Sequence, residues 1–349
     1  VLAAKLAAVR HHQGRLLGRM EALGLALESE AVFQTLVKDA LKTSEIEGEI
    51  LDQAQVRSSL ARRLGLDRAG MVPVERPVDG LVAMLLDATT GFAAPLTEER
   101  LFRWHAGLFP DGGHGRREFT VGGWRTDRLG AMEVVSGPLG RERVHFRAPP
   151  AERVPGEIAA FLAWFETDDP GLDPVLKAAV AHIWFVTIHP FDDGNGRIAR
   201  AIADLALARS EGTGRRFYSM SARLRVERAQ YYETLETTQK GDLDVTTRLA
   251  WFLDVLDAAL TDAETTLSAV IRNAKTWETL TTRALNERQT RMVNRLLDGF
   301  EGKLTSSKWA KIAKCSQDTA LRDIEALIAA GILVKEPGGG RSTSYALAL

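Results

Sequence analysis

The sequence predicts a mainly α protein: a helical body with one β-hairpin, followed by a small C-terminal winged-helix domain. Three observations carry this. Apolar residues recur at helical spacing through most of the chain. One glycine-dense stretch, Phe119 to Phe146, holds two β-like runs instead. Strand signals return only near the C-terminus, behind a pair of short helices. At 349 residues the chain is too long for one ordinary core and fits two or three domains.

Taken in order, Leu2 to Leu27 reads as an amphipathic helix broken near Gly24, and Ser29 as the N-cap of a second through Ala31–Lys42. Leu51–Leu64 is helical, then Gly65 and Gly70–Pro73 punctuate. Further helices fit Val78–Thr89, Thr97–Leu108, Val154–Glu166, Pro174–Ile188, Ile198–Ser210, Val226–Gln239 and Thr246 to about Ala274. Met132–Ser136 and Arg143–Phe146 flank Gly137-Pro138-Leu139-Gly140, the pattern of a hairpin. No internal repeat is present.

Composition narrows the function classes. Hydrophobic residues make up 45% and charged ones 26%, ordinary globular values that exclude a largely disordered chain. The formal net charge of −1 gives no global basic field toward nucleic acid or membrane. From Arg283 to Leu349, however, 11 basic residues face 7 acidic ones, so the tail is mildly basic. The single cysteine, Cys315, excludes an intrachain disulfide and a cysteine-rich zinc site. No apolar run is long enough to span a bilayer and no signal-peptide pattern opens the chain, so a soluble cytoplasmic protein without membrane contact is expected. The chain begins at Val1 rather than methionine, which predicts a short missing leader.

The chemistry concentrates in His189-Pro190-Phe191-Asp192-Asp193-Gly194-Asn195-Gly196-Arg197-Ile198-Ala199-Arg200. Pro190 and the Gly-Asn-Gly triplet force a tight loop between two apolar helices. Glycines let backbone N–H groups converge, and the next helix adds its unsatisfied N–H groups and positive dipole end, which makes an anion site. Arg197 and Arg200 share a helix face at its mouth. Asp193 offers a hard oxygen of the kind Mg²⁺ takes beside phosphates. His189 has an ordinary pKa suited to accepting a hydroxyl proton. Base, metal ligand, anion nest and paired arginines together describe phosphoryl or nucleotidyl transfer.

These twelve residues resemble the Fic (Fido-domain) family signature at every defined position. The resemblance implies a helical Fic core with a hairpin flap. It also implies an Mg²⁺-dependent protein adenylyltransferase that moves AMP from ATP to a Ser, Thr or Tyr hydroxyl of a target protein, releasing pyrophosphate. On that likeness His189 is the base and Asp193 the Mg²⁺ ligand. Gly194, Asn195, Gly196 and Arg197 cradle the α/β-phosphates, and Arg200 grips the γ-phosphate. Gly194, replaced by a bulkier basic residue in the phosphorylating Doc relatives, is intact. Val134, Val135 and Ser136 resemble the centre of the flap, whose open edge would align an extended target segment; the alternative is a purely structural hairpin. Tyr231, Tyr232 and Gln239 resemble nucleoside contacts, although adjacent helical tyrosines also read as one packed and one exposed. Thr43-Ser44-Glu45-Ile46-Glu47-Gly48 resembles the family's inhibitory motif, in which Glu47 would pair with Arg200 where the γ-phosphate must sit.

From Leu285 the order is helix, an N-cap cluster at Leu304–Ser307, Lys308–Ala313, a turn at Cys315-Ser316, Gln317–Ala330, then strands Ile332–Lys335 and Ser344–Leu347 around Gly338–Arg341. That is the winged-helix order, and it is similar to the tail of related Fic proteins. A DNA-reading version would present Gln317, Thr319 and Arg322 to a groove and Arg341 to phosphate, while Asp318, Asp323 and Glu325 on the same helix oppose it and leave a protein contact as the alternative. The expected domains are 1–70, an N-terminal helical region with the inhibitory motif; 71–275, the Fic core; and 283–349, the winged helix. Alternatives to AMP transfer are AMP removal with Glu47 positioning a water, and a DNA-binding regulator whose core only senses nucleotide. Self-modification and a homodimer are compatible with each.

Overall fold

Helix starts are written in side chains. Asp52, Thr97, Asp173 and Ser219 each accept a hydrogen bond from a first-turn N–H, to Ala54, Arg100, Val175 and Ala222 respectively. The computed structural model describes residues 1–22, 25–66, 70–112, 120–128, 130–138, 141–242, 244–281, 285–297, 300, 302–336 and 343–348. Phe119, the hairpin tip Leu139-Gly140, Arg283 and the Gly338–Arg341 wing lie outside them.

The chain divides into two units, Val1–Thr266 and Leu267–Leu349. The first contains α1 (Leu2–Glu21), α2 (Leu25–Ile46), α3 (Gln53–Arg63), α4 (Arg76–Thr90) and α5 (Glu98–Leu108). A hairpin, β1 (Glu133–Ser136) and β2 (Arg143–Arg147), follows. Then come α6 (Val154–Glu166), α7 (Pro174–Ile188), α8 (Asn195–Glu211), α9 (Met220–Val226), α10 (Arg228–Gln239) and α11 (Thr246–Thr281), the last running past the boundary. α7 and α8 form the central pair, and α4 packs on α8. α8 is buried from Ile198 to Ala208, and the two charged residues in that stretch are ion-paired, Arg200 with Glu47 and Asp204 with Arg216. α2 lies along α9, which brings its C-terminal end to the start of α8.

Three helix boundaries differ from the sequence reading. Ser29 is not an N-cap: it lies inside α2, which starts at Leu25 and runs on to Ile46. The buried carboxylate of Glu28 is ion-paired with Arg215, and that long-range contact holds the turn around Ser29 helical. The helix expected over Val226–Gln239 starts two residues later, as α10, because Glu227 takes φ −95° and ψ 27° after the short α9, which the sequence reading did not place, while its side chain is held by Arg223 at 2.7 Å. α8 begins at Asn195, three residues before the expected start, inside the Gly-Asn-Gly triplet. In the hairpin, Val134 pairs with Phe146 but Val135 pairs with Val144, a bulge that leaves His145 as an extra residue on β2.

The second unit holds α12 (Glu287–Leu297), α13 (Ser306–Ala313), α14 (Gln317–Ala329) and the antiparallel pair β3 (Leu333–Lys335) and β4 (Tyr345–Leu347). Its core gathers Met292, Val293, Leu304, Trp309, Ile324, Leu327 and Leu333. Asp323 is not a surface charge on α14. It is buried, with Arg288 Nε donating to it at 2.8 Å and Asn286 at 3.0 Å. Gln317 and Arg322 are exposed, whereas Thr319 is half-buried beside the cap Ser316, their hydroxyls 2.8 Å apart.

Candidate active site

α7 ends because His189 turns left-handed, at φ 52°. That is an uncommon conformation for a non-glycine residue and costs on the order of 1–3 kcal/mol, so the surroundings must hold it. They do so from both sides. The His189 N–H donates to the Phe185 carbonyl at 3.1 Å, and Arg125 Nε donates to the His189 carbonyl at 2.7 Å. Arg125 also reaches the Pro149 carbonyl and Asp127, and its own N–H meets the Pro190 carbonyl at 2.9 Å. In the sequence Gly123-Trp124-Arg125 marks the lead-in to the hairpin, with no separate role given to this buried arginine.

His189 Nδ1 lies 3.2 Å from the Val186 carbonyl. A carbonyl only accepts, so Nδ1 carries the proton and Nε2 keeps its lone pair. Burial, helped by the nearby Arg125 charge, pushes the imidazole down to about 4 and keeps it neutral, although its edge stays partly open to solvent.

The loop that follows is built on Phe191 and Asn195. Phe191 is fully buried and stacks on His105 with centroids 4.2 Å apart and planes 8° apart. Asn195 closes the turn: Phe191 N–H donates to its Oδ1 at 3.0 Å, and its Nδ2 donates to the Phe191 carbonyl at 2.7 Å. The Asn195 side chain is therefore spent on the loop, and its backbone faces the anion site. Gly194 is the N-cap of α8, left-handed at φ 79°, with no side-chain cap, so first-turn N–H groups stay available. A Cβ on Gly194 would stand 2.9 Å from the Phe109 ring. Asp193 accepts from the Gly194 N–H at 2.6 Å and keeps 59% of its side chain exposed beside Arg197.

Arg197 and Arg200 are both buried at the mouth. Arg200 donates from Nε to Thr43 Oγ1 at 2.8 Å and from Nη2 to the Thr43 carbonyl at 2.9 Å, and pairs with Glu47 at 2.8 Å. Arg197 pairs with Glu49 at 2.8 Å, a second carboxylate from the same turn that the sequence reading did not single out. Arg197 also lies over the Phe109 ring. Arg200 Nη1 and Arg197 Nε are buried without a hydrogen-bond partner. Two unmet cationic donors beside a capless helix start fit a polyanion such as the phosphates of ATP. For a cation the loop offers the exposed Asp193 carboxylate, and among the described residues no three His, Cys, Asp or Glu side chains gather as a metal set. A single carboxylate that leaves the other positions to phosphates and water fits Mg²⁺.

The remaining expected residues sit around this centre. Tyr231 is buried, its hydroxyl 3.2 Å from His182 Nε2, and Tyr232 on the neighbouring face is 38% exposed and donates to the Ile46 carbonyl at 3.3 Å. Gln239 donates to Thr187 Oγ1 at 3.2 Å. Val134, Val135 and Ser136 lie on the hairpin strand, Val135 and Ser136 exposed, and Arg143 ties the hairpin to Glu236 of α10 at 2.9 Å.

A mainly helical core whose two central helices are joined by a glycine loop, with a short hairpin beside it, is the architecture of the Fic/DOC fold. Residues 95–207 match the Fic/DOC family, and residues 1–66 match a domain of unknown function, DUF4172. A Fic family protein from Desulfovibrio desulfuricans G20 superposes with a TM-score of 0.54 at 20% identity, covering 98% of this chain and 95% of that one. A Fic domain containing signaling protein from Bacteroides thetaiotaomicron gives 0.56 at 18%, covering 75% and 97%. The chain is 37% identical over 118 residues to protein adenylyltransferase fic-1 of Caenorhabditis briggsae, 32% of this chain and 22% of that protein. It is 26% identical over 239 residues to protein adenylyltransferase Fic of Drosophila ananassae, 64% and 42% respectively. A uridine 5'-monophosphate transferase of Xanthomonas campestris is 33% identical over 122 residues, 33% and 22%. The chain thus spans under half the length of these curated relatives. It carries a Fic/DOC family domain over residues 95–207 and shares its overall fold with Fic family proteins.

Proposed function

We propose that this chain is a protein adenylyltransferase, transferring AMP from ATP to a side-chain hydroxyl of a target protein, and that it is described here in a self-restrained state. The observation that carries the reading is the neutral His189, with its Nε2 lone pair free, next to a helix start flanked by two buried arginines with unmet donors.

In this mechanism Arg197, Arg200 and the first-turn N–H groups of α8 hold the phosphates and set the α-phosphorus in line with the entering hydroxyl. His189 Nε2 takes the hydroxyl proton as the new oxygen–phosphorus bond forms and the α–β bridging bond breaks, releasing pyrophosphate. Asp193 would hold Mg²⁺, which supplies charge neutralisation when bound. Arg125 keeps the histidine backbone in place. The exposed strand β1 presents an edge along which an extended target segment would align. Glu47 occupies Arg200 in the closed state and must leave for the γ-phosphate to enter. The second unit, read as a winged helix, has Gln317 and Arg322 exposed on α14 for a contact to DNA or protein.

Relatives named protein adenylyltransferase and uridine 5'-monophosphate transferase both resemble this chain, so nucleotide choice enters the test. The protein with Glu47→Gly is incubated with Mg²⁺ and labelled ATP or UTP, alone and with lysate, and adducts are mapped by mass spectrometry. AMP on hydroxyl side chains of lysate proteins, absent with His189→Ala, is the expected result. Label from UTP in preference to ATP overturns the nucleotide assignment. No adduct from either overturns the transferase reading.

A further inference from the structure

Ser136, His145 and Glu236 stand in line across the hairpin and α10. Ser136 Oγ is 2.5 Å from His145 Nε2, and His145 Nδ1 is 2.6 Å from Glu236 Oε2. A carboxylate only accepts, so Nδ1 carries the imidazole proton and Nε2 the lone pair, and the Ser136 hydroxyl donates to Nε2. This is the order of an activated nucleophile: hydroxyl, base, and a carboxylate that orients the base.

The backbone builds the arrangement deliberately. His145 is the extra residue of the β2 bulge, and bulges re-aim side chains. Glu236 Oε1 is separately occupied, by Lys240 at 2.7 Å and Arg143 at 2.9 Å, which leaves Oε2 for the histidine. Hydrogen bonds from Lys240, His145 and Arg143 hold that carboxyl down at about 2, so it stays ionised at any working pH. Ser136 itself is exposed. The hairpin also borders the candidate active site at both ends. Its base is tied through the Pro149 carbonyl to Arg125, which holds the His189 carbonyl. Its far side is tied to Glu236, one helical turn from Tyr232, whose hydroxyl meets Ile46 next to Glu47.

We infer that Ser136, His145 and Glu236 form a second nucleophilic site, in which Ser136 is the hydroxyl this chain modifies on itself with the nucleotidyl group of ATP. The destination rests on the transferase reading above; the activation of Ser136 does not. In the step, Ser136 Oγ bonds to the α-phosphorus, the α–β bridging bond breaks, pyrophosphate leaves with the electron pair, and the hydroxyl proton passes to His145 Nε2. Glu236 holds the imidazolium that results.

Two measurements on the full chain test this. A fluorophosphonate probe, which needs no ATP, should label Ser136, with labelling lost in Ser136→Ala and slowed roughly 10²-fold or more in His145→Ala and in the milder Glu236→Gln. No label on Ser136, or equal labelling of all three variants, overturns the activated site. In the Glu47→Gly protein with Mg²⁺ and ATP, peptide mapping should place AMP on Ser136, again slowed by His145→Ala. AMP on other residues with Ser136 untouched overturns the self-modification. If AMP reaches no residue of any protein, the transferase reading fails, and the probe result still decides the nucleophile.

Discussion

Glu47 and Arg200 are paired at 2.8 Å across 153 residues of sequence, and Arg200 is held a second time by the side chain and carbonyl of Thr43. The last turn of α2 thereby grips the arginine from two sides, and Glu47 Oε1 stands 2.3 Å from where a Cβ on Gly196 would be. The carboxylate fills the space over the helix start. Glu47→Gly should therefore raise AMP transfer, while Arg200→Ala should be inactive with or without Glu47. The two changes are strongly non-additive, as residues in contact are. Auto-modification rates across the four-member cycle check it; unchanged or lower activity in Glu47→Gly sinks the restraint.

Glu49 makes the same kind of contact to Arg197 and is about as exposed as Glu47, 34% against 30%, but it is Glu47 that stands over the helix start at Gly196. Glu49→Gln should raise transfer less than Glu47→Gly does, and the gain should shrink in high salt, which screens an open pair. A rate comparison at two ionic strengths reads this directly.

Gly196→Ala tests the same closed geometry through stability. The added methyl meets Glu47 Oε1, the end of a part-exposed side chain that can swing off Arg200. The loss is that of the ion pair, offset by the roughly 1 kcal/mol that alanine gains over glycine in a helix. In a Glu47→Gly background the obstacle is gone, so the loss should largely disappear. Urea midpoints of the single and double variants measure the difference.

Acid sensitivity follows from three histidines, His105, His182 and His189, all held below their ordinary value by burial. Burial pushes His189 and His105 down to about 4, below the roughly 6.5 of an unfolded imidazole. Between those values the unfolded chain binds more protons, so stability is lost as pH falls from 6.5 toward 4. The thermal midpoint should drop over that window. Transfer per folded molecule, by contrast, should hold until the pH nears 4, since His189 remains the neutral base. A rate that falls with a midpoint near 6.5 would contradict the geometry around His189.

Removing residues 283–349 should leave AMP transfer by the first unit largely intact, because every residue assigned to the chemistry lies within Val1–Thr266. Circular dichroism confirms that the shortened chain is folded, and the same transfer assay reads the outcome.

The loop was legible in the sequence because its parts are local. His189, the glycines and the two arginines fall within twelve residues, and turn chemistry plus helix spacing suffice to put them around one N-terminus. The hairpin was legible too, from its glycines and β-like runs. Less visible were residues whose role depends on distant partners. Arg125 was visible only as part of the lead-in to the hairpin, and its work is to hold the carbonyl of a residue 64 positions away. Glu49 reads as one more surface acid until α2 packs on α9 and delivers it to Arg197. Asp323 counts as a repelling charge on α14 until Arg288 folds over it.

By itself, then, the sequence determined the mainly helical class, the anion loop and the order of its chemical groups, since each rests on periodicity or on neighbours within a turn or two. Only the tertiary structure decided where α2 begins and ends, that Asn195 braces the loop, that His189 is held left-handed and neutral, and that a β-bulge lines His145 up between Ser136 and Glu236. Those outcomes depend on burial and on contacts between residues far apart in the chain, and no local pattern encodes a distance.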